Sequence, residues 1–121
     1  MIRAEIKHIL WSDGLGADLS TFRPEDYESF CCSLQLLIGP HAGDGEESFQ
    51  VSFCTPRWWA ENRAEKYVIY EPHWLIVTEY NYLKLIAWLN HFVEHCSGET
   101  WREVASQLSA ISLWEFENYT L

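Results

Sequence analysis

The chain has 121 residues, with 18 acidic side chains against 8 basic ones and a formal net charge of −10. It is 48% hydrophobic and 21% charged, the make-up of a single globular domain over residues 1–121 that can bury its own core. A balance this negative argues against a nucleic-acid or anionic-membrane binder, and the longest apolar run, Leu85 to Leu89, is far short of a membrane span.

Residues 2–11 alternate Ile2, Ala4, Ile6 and Leu10 with Arg3, Glu5 and Lys7, which predicts a half-buried strand. The charges interrupting that run leave no signal-peptide core, so a cytoplasmic protein is expected. Asp13-Gly14 opens a polar loop, and Pro24-Glu25-Asp26 continues it as a turn or short cap. Over residues 13–47 the acids gather with Arg23 as the single Lys or Arg among them. A basic partner explains such a surface, and so does solubility alone.

Two runs follow, Phe30–Ile38 and Glu47–Cys54, joined by a glycine-rich acidic loop, and they predict a hairpin. Its register follows from burial. Phe30, Cys32, Leu34, Leu36 and Ile38 face one way, as do Phe49, Val51 and Phe53. Both stripes reach one core only if Leu34 opposes Val51 and Leu36 opposes Phe49. Ser33, Gln35, Gln50 and Ser52 then share the other face, and Cys31 lies near Cys54. Adjacent Cys31 and Cys32 point to opposite faces, and there is no CxxC pair, so reduced thiols are expected at all four cysteines.

Thr55-Pro56 predicts a helix start, with Thr as N-cap and Pro at the first position, and a helix over Arg57–Lys66. Trp58 and Trp59 are adjacent on it and cannot lie equally deep in one core. His73–Glu79 reads as a buried strand. Tyr82, Leu85, Ile86, Leu89, Val93 and Cys96 recur at helical spacing, predicting a long helix ended by Gly98. A further helix carries Trp101, Val104, Ala105, Leu108 and Ile111, and WEFENY closes the chain as a strand. The fold class is α+β: a mostly antiparallel sheet of four to five strands with two or three helices packed on one face.

Catalytic chemistry finds little footing. His91 and His95 have the spacing for a shared metal, but no third and fourth ligand is visible in the sequence. No base is placed beside a thiol, the glycine loop lacks the Lys-Ser/Thr of a phosphate loop, and its acids do not match a calcium loop. Glu115 and Glu117 share a strand face without a cleft. The expectation is a protein that is not an enzyme and takes no cofactor and no metal. What remains is acids interleaved with aromatics, the composition of a protein interface.

The runs GEESF (Gly45–Phe49), CTPRW (Cys54–Trp58), LIVTEY (Leu75–Tyr80), GETWREV (Gly98–Val104) and the closing WEFENY resemble the immunity protein 8 family of bacterial polymorphic toxin systems, in the same order over nearly the whole chain. Three positions depart from the family pattern. Ala110 replaces an Arg, Ser112 a Gly, and Asn118 an Asp. The resemblance implies a small cytoplasmic protein that binds a cognate toxin domain and blocks it, without naming the toxin.

Combined with the charge, this predicts a basic toxin, a nuclease being the natural case, neutralised by direct occlusion. The expected partner-binding residues are Asp44, Glu46 and Glu47 in the hairpin loop, Glu115 and Glu117 on the tail, and Trp58, Trp59 and Trp74 as aromatic anchors. Trp114 and Phe116 are expected to staple the tail to the core. An acidic nucleic-acid mimic acting on a host protein, or a small thiol or metal enzyme, are the alternative readings. Monomer and homodimer stay open.

Overall fold

The structure is a computed structural model and describes residues 1–11, 23–68 and 72–116. Its long strands are β1 (Ile2–Trp11), β2 (Cys31–Pro40) and β3 (Glu47–Cys54), an antiparallel meander. Helix α1 (Pro56–Asn62) follows, then β4 (Trp74–Ile76), α2 (Tyr82–Glu94), β5 (Ser97–Gly98), α3 (Trp101–Leu108) and β6 (Leu113–Trp114). The sheet runs β4-β3-β2-β1-β5, with β6 also paired to β3. It is mixed, because β4 lies parallel to β3. The α+β class is as expected, with six strands among the described residues.

The hairpin register is the one that burial demands: Leu34 opposes Val51 and Leu36 opposes Phe49. Along β2, Cys32, Leu34, Leu36 and Ile38 are buried, and the residues between them are partly exposed. Leu85, Leu89 and Val93 of α2 and Val104, Ala105 and Leu108 of α3 close the core from that side. The hairpin loop folds tightly back on itself. A Cβ at Gly39 would sit 2.0 Å from the Gly45 carbonyl oxygen, so only glycine fits there.

Five expectations change. The closing strand expected over WEFENY is confined to Leu113–Trp114, with Glu115 and Phe116 in a turn and the rest of the run outside the described residues. The alternation of β1 does not hold along its length, because the register shifts between Ile6 and His8. The bulge reverses the phase, so Ile9 packs on the core and Leu10 is 45% exposed. α1 ends at Asn62 rather than Lys66, its cap Arg63 N–H donating to Trp59 O. The segment His73–Glu79 yields only three strand residues, at the sheet edge and partly exposed. Gly98 does not end α2. The helix stops at His95, and the next residues extend to pair β5 with Ile2 and Arg3. Gln107 of α3 holds that extension, accepting from Ser97 N at 3.0 Å and donating to Ser97 O at 2.6 Å.

Candidate partner-binding surface

β3 joins two chemically different ends. Its first residue, Glu47, and its last, Cys54, are roughly 24 Å apart at the rise of an antiparallel strand. Acidic side chains gather at the first end, and a cluster of three indole rings at the second.

At the acidic end, Asp44 and Glu46 project from the hairpin loop and are exposed. Glu46 Oε2 lies 3.8 Å from His8 Nε2. Glu47 is half-buried, and its Oε1 accepts from Trp114 Nε1 at 3.1 Å and from Trp101 Nε1. This carboxylate therefore ties β6 and α3 to the start of β3. Glu115 extends the β3–β6 ladder: its N–H donates to Ser48 O at 3.0 Å, and its Oε1 accepts from Ser48 N at 2.9 Å. It is exposed, whereas Glu117 lies outside the described residues. Among the described residues no Lys or Arg pairs with Asp44, Glu46, Glu47 or Glu115. Lys7 instead reaches Glu5 at 3.4 Å and Gly43 O at 3.1 Å. His41 Nδ1 lies 2.7 Å from Glu5 Oε2, and that hydrogen bond, opposed by some desolvation and aided by the Lys7 charge, holds the Glu5 carboxyl below its ordinary 4.5.

At the other end, Thr55 caps α1 as its sequence predicts, accepting from Trp58 N. Trp74 then joins the tryptophan pair. It stacks on Trp58 with centroids 5.9 Å apart and planes at 21°, and meets Trp59 edge-on at 5.2 Å and 81°. All three are half-buried, so neither member of the helix pair is wholly inside or outside. Arg63 lies over the Trp58 ring at 5.4 Å, with its Nε buried and lacking a hydrogen-bond partner among the described residues. Arg57 is held by Asp26, Glu28 and Glu61 at 3.4, 3.7 and 3.2 Å.

Thus Trp58, Trp59 and Trp74 form one cluster, and Asp44, Glu46, Glu47 and Glu115 form another. Sequence reasoning missed two features. One is the double role of Glu47, although two partly buried indoles each need an acceptor and that need is a usable signal. The other is a groove of about 370 Å³ between β4 and the first turns of α2, lined by Phe30, Phe53, Leu75, Tyr80, Leu85 and Trp88.

The remaining candidates for chemistry are dispersed. His91 and His95 have ring centroids 4.3 Å apart, but among the described residues no three His, Cys, Asp or Glu side chains converge on a metal position. His95 Nδ1 lies 2.7 Å from the His91 carbonyl oxygen. None of the four cysteines is in a disulfide. Cys31 and Cys54 oppose one another across β2 and β3, as the register requires. Burial, and secondarily Cys31, pushes the Cys54 thiol up to about 11, and burial also raises Cys96. Neither is poised as a thiolate. No described helix is long and apolar enough to cross a membrane.

A family model described as Immunity protein 8 matches residues 4–119. No curated protein and no solved structure matches the chain.

Proposed function

Because the chain belongs to the immunity protein 8 family, and is thus an immunity protein of toxin systems, we propose that it works in the cytoplasm as a non-enzymatic inhibitor, binding a cognate toxin domain with a basic surface and occluding it. The observation that carries this reading is the state of the acids at the hairpin end. Asp44, Glu46 and Glu115 are exposed and have no Lys or Arg partner among the described residues. No Lys or Arg neutralises their charge there, and a basic groove can take it up.

Charge of this kind speeds encounter and selects partners. A nuclease toxin suits it, because acids seated in the groove compete with the nucleic-acid backbone. Affinity needs a desolvated anchor as well, and the Trp58–Trp59–Trp74 cluster supplies large, partly exposed rings held rigid by one another. The test is co-expression with the toxin domain encoded beside this gene. Cells carrying both are expected to grow, and cells carrying the toxin domain alone to arrest. Equal arrest with and without this chain, at confirmed expression, would count against the proposal.

A further inference from the structure

β4 is an edge strand of the sheet. His73 O accepts from Ser52 N at 3.0 Å, and Val77 N donates to Cys54 O at 2.9 Å. In a parallel ladder such inward positions alternate with outward ones, so the N–H and C=O groups of Trp74 and Ile76 point away from β3. β4 is the last strand of the sheet, and among the described residues no strand pairs with that outer side. Natural sheets usually blunt an open edge with charge or proline. β4 instead presents Trp74, Leu75 and an Ile76 that is 57% exposed.

The apolar groove lies beside this edge, on the helix side of the sheet. α2 packs chiefly against β1, and Leu75 on the core-facing side of β4 stays only partly buried. Phe53 and Leu75 therefore meet the wall formed by Leu85 and Trp88 across an open channel of about 370 Å³. Trp88 is 46% exposed there. An extended segment laid against β4 would bond to the outward groups of Trp74 and Ile76. Because side chains alternate along a strand, every second one would enter the groove. Its two charged lining residues are Glu79 and Lys84, and neither has an ion-pair partner among the described residues.

We infer that β4 and the groove beneath it form the docking site for an extended strand of the toxin domain, a segment with one or two large apolar side chains for the groove and a basic residue for Glu79. This deepens, and rests on, the toxin-binding reading above. Hydrogen-bonding pattern and charge choose this occupant together. Outward main-chain donors and acceptors are matched by an extended backbone, and an unpaired carboxylate on a chain of net charge −10 is matched by a basic one. Trp74 links the site to the indole cluster, since its backbone offers the edge while its ring packs on Trp58 and Trp59.

The experiment combines hydrogen exchange and calorimetry on the full chain, using as probe the purified toxin domain encoded beside the gene. The Trp74 and Ile76 amides are expected to exchange quickly in the free chain and to slow at least tenfold in the complex. Ile76→Pro removes an outward N–H without touching the β3 ladder, and it should weaken binding at least tenfold. Trp88→Ala, which opens the groove wall, should weaken binding as well, and it serves if the proline variant does not fold. Wild-type binding with unchanged exchange at β4 would overturn the docking site and leave the toxin-binding reading standing. Absence of wild-type binding would overturn both. Slow exchange at β4 in the free chain, with a dimer that Ile76→Pro dissociates, would overturn it in favour of edge-to-edge pairing of two copies.

Discussion

The indole of Trp114 lies parallel to the ring of Phe49, with centroids 6.2 Å apart and planes at 8°. Phe49 is fully buried at the centre of the core, so this stack fastens the end of the described chain to the part of the fold least able to move. Phe116 meets Trp114 edge-on at 5.8 Å and is 38% exposed. Both rings therefore contribute to the staple, Trp114 the more deeply. Trp114→Ala is expected to destabilise the fold by about 3 kcal/mol, from lost burial and the lost bond to Glu47. Phe116→Ala should cost less, about 1–2 kcal/mol, because its ring is already 38% exposed. Chemical denaturation of both variants checks the order, and equal costs would contradict it.

Glu47 should behave as a structural acid. Glu47→Ala removes the acceptor for two indoles at once, Trp101 and Trp114. The expected loss is about 2 kcal/mol, moderated by partial exposure, with Glu47→Gln in between because an amide oxygen still accepts. Denaturation followed by tryptophan fluorescence measures it. A neutral Glu47→Ala would show that the two indoles find water equally well.

Thr55 performs two tasks from a fully buried position. Its hydroxyl oxygen accepts from Trp58 N at 3.3 Å to cap α1 and from Phe30 N at 3.2 Å to close the end of β2. Thr55→Ala leaves both donors without it and should cost about 2–3 kcal/mol. Thr55→Ser keeps the oxygen and should recover most of that. Comparing the two melting temperatures separates the hydroxyl from the lost methyl.

The thiols give a pH dependence with a definite sign. The folded state raises Cys54 from its ordinary 9.0 to about 11. Below pH 9 both states keep the proton and this contribution is intact. As the pH climbs from 9 through 11 the unfolded chain releases the proton first, so stability falls across that window. Cys54→Ala should flatten this part of the profile even as it lowers stability throughout. In alkylation near neutral pH, the half-buried Cys31 should react before Cys32, Cys54 and Cys96. Early modification of Cys54 would contradict its burial.

Much of the fold was legible because burial imposes period and register together. The stripe Cys32-Leu34-Leu36-Ile38 and its partner Phe49-Val51-Phe53 admit one pairing, and the Thr55-Pro56 cap and the apolar stripe of α2 were equally local signals. The bulge after Ile6 was not legible. It depends on how β1 meets β2, and the sequence around Lys7 carries no glycine or proline to mark it. The shortness of β4 was hidden for a similar reason. LIVT is a good strand sequence, but β3 gives one side of its edge to β4 and to β6 in turn, leaving β4 only Ser52, Phe53 and Cys54 to pair with. At the candidate site, the acids were visible as composition and the tryptophans as unplaced aromatics. Which acids meet at the start of β3, and which three indoles cluster at its end, required the topology.

The most direct measurement is calorimetric titration of this chain with the toxin domain encoded beside its gene, at low and at high salt. The account predicts tight one-to-one binding that weakens as salt rises, with a weaker salt dependence once Asp44 and Glu46 are both changed to Lys, a change expected to leave the melting temperature nearly unaltered because both side chains are exposed. No binding to a folded toxin domain would contradict the account, and tight binding indifferent to both salt and the reversal would contradict its assignment of the acidic end.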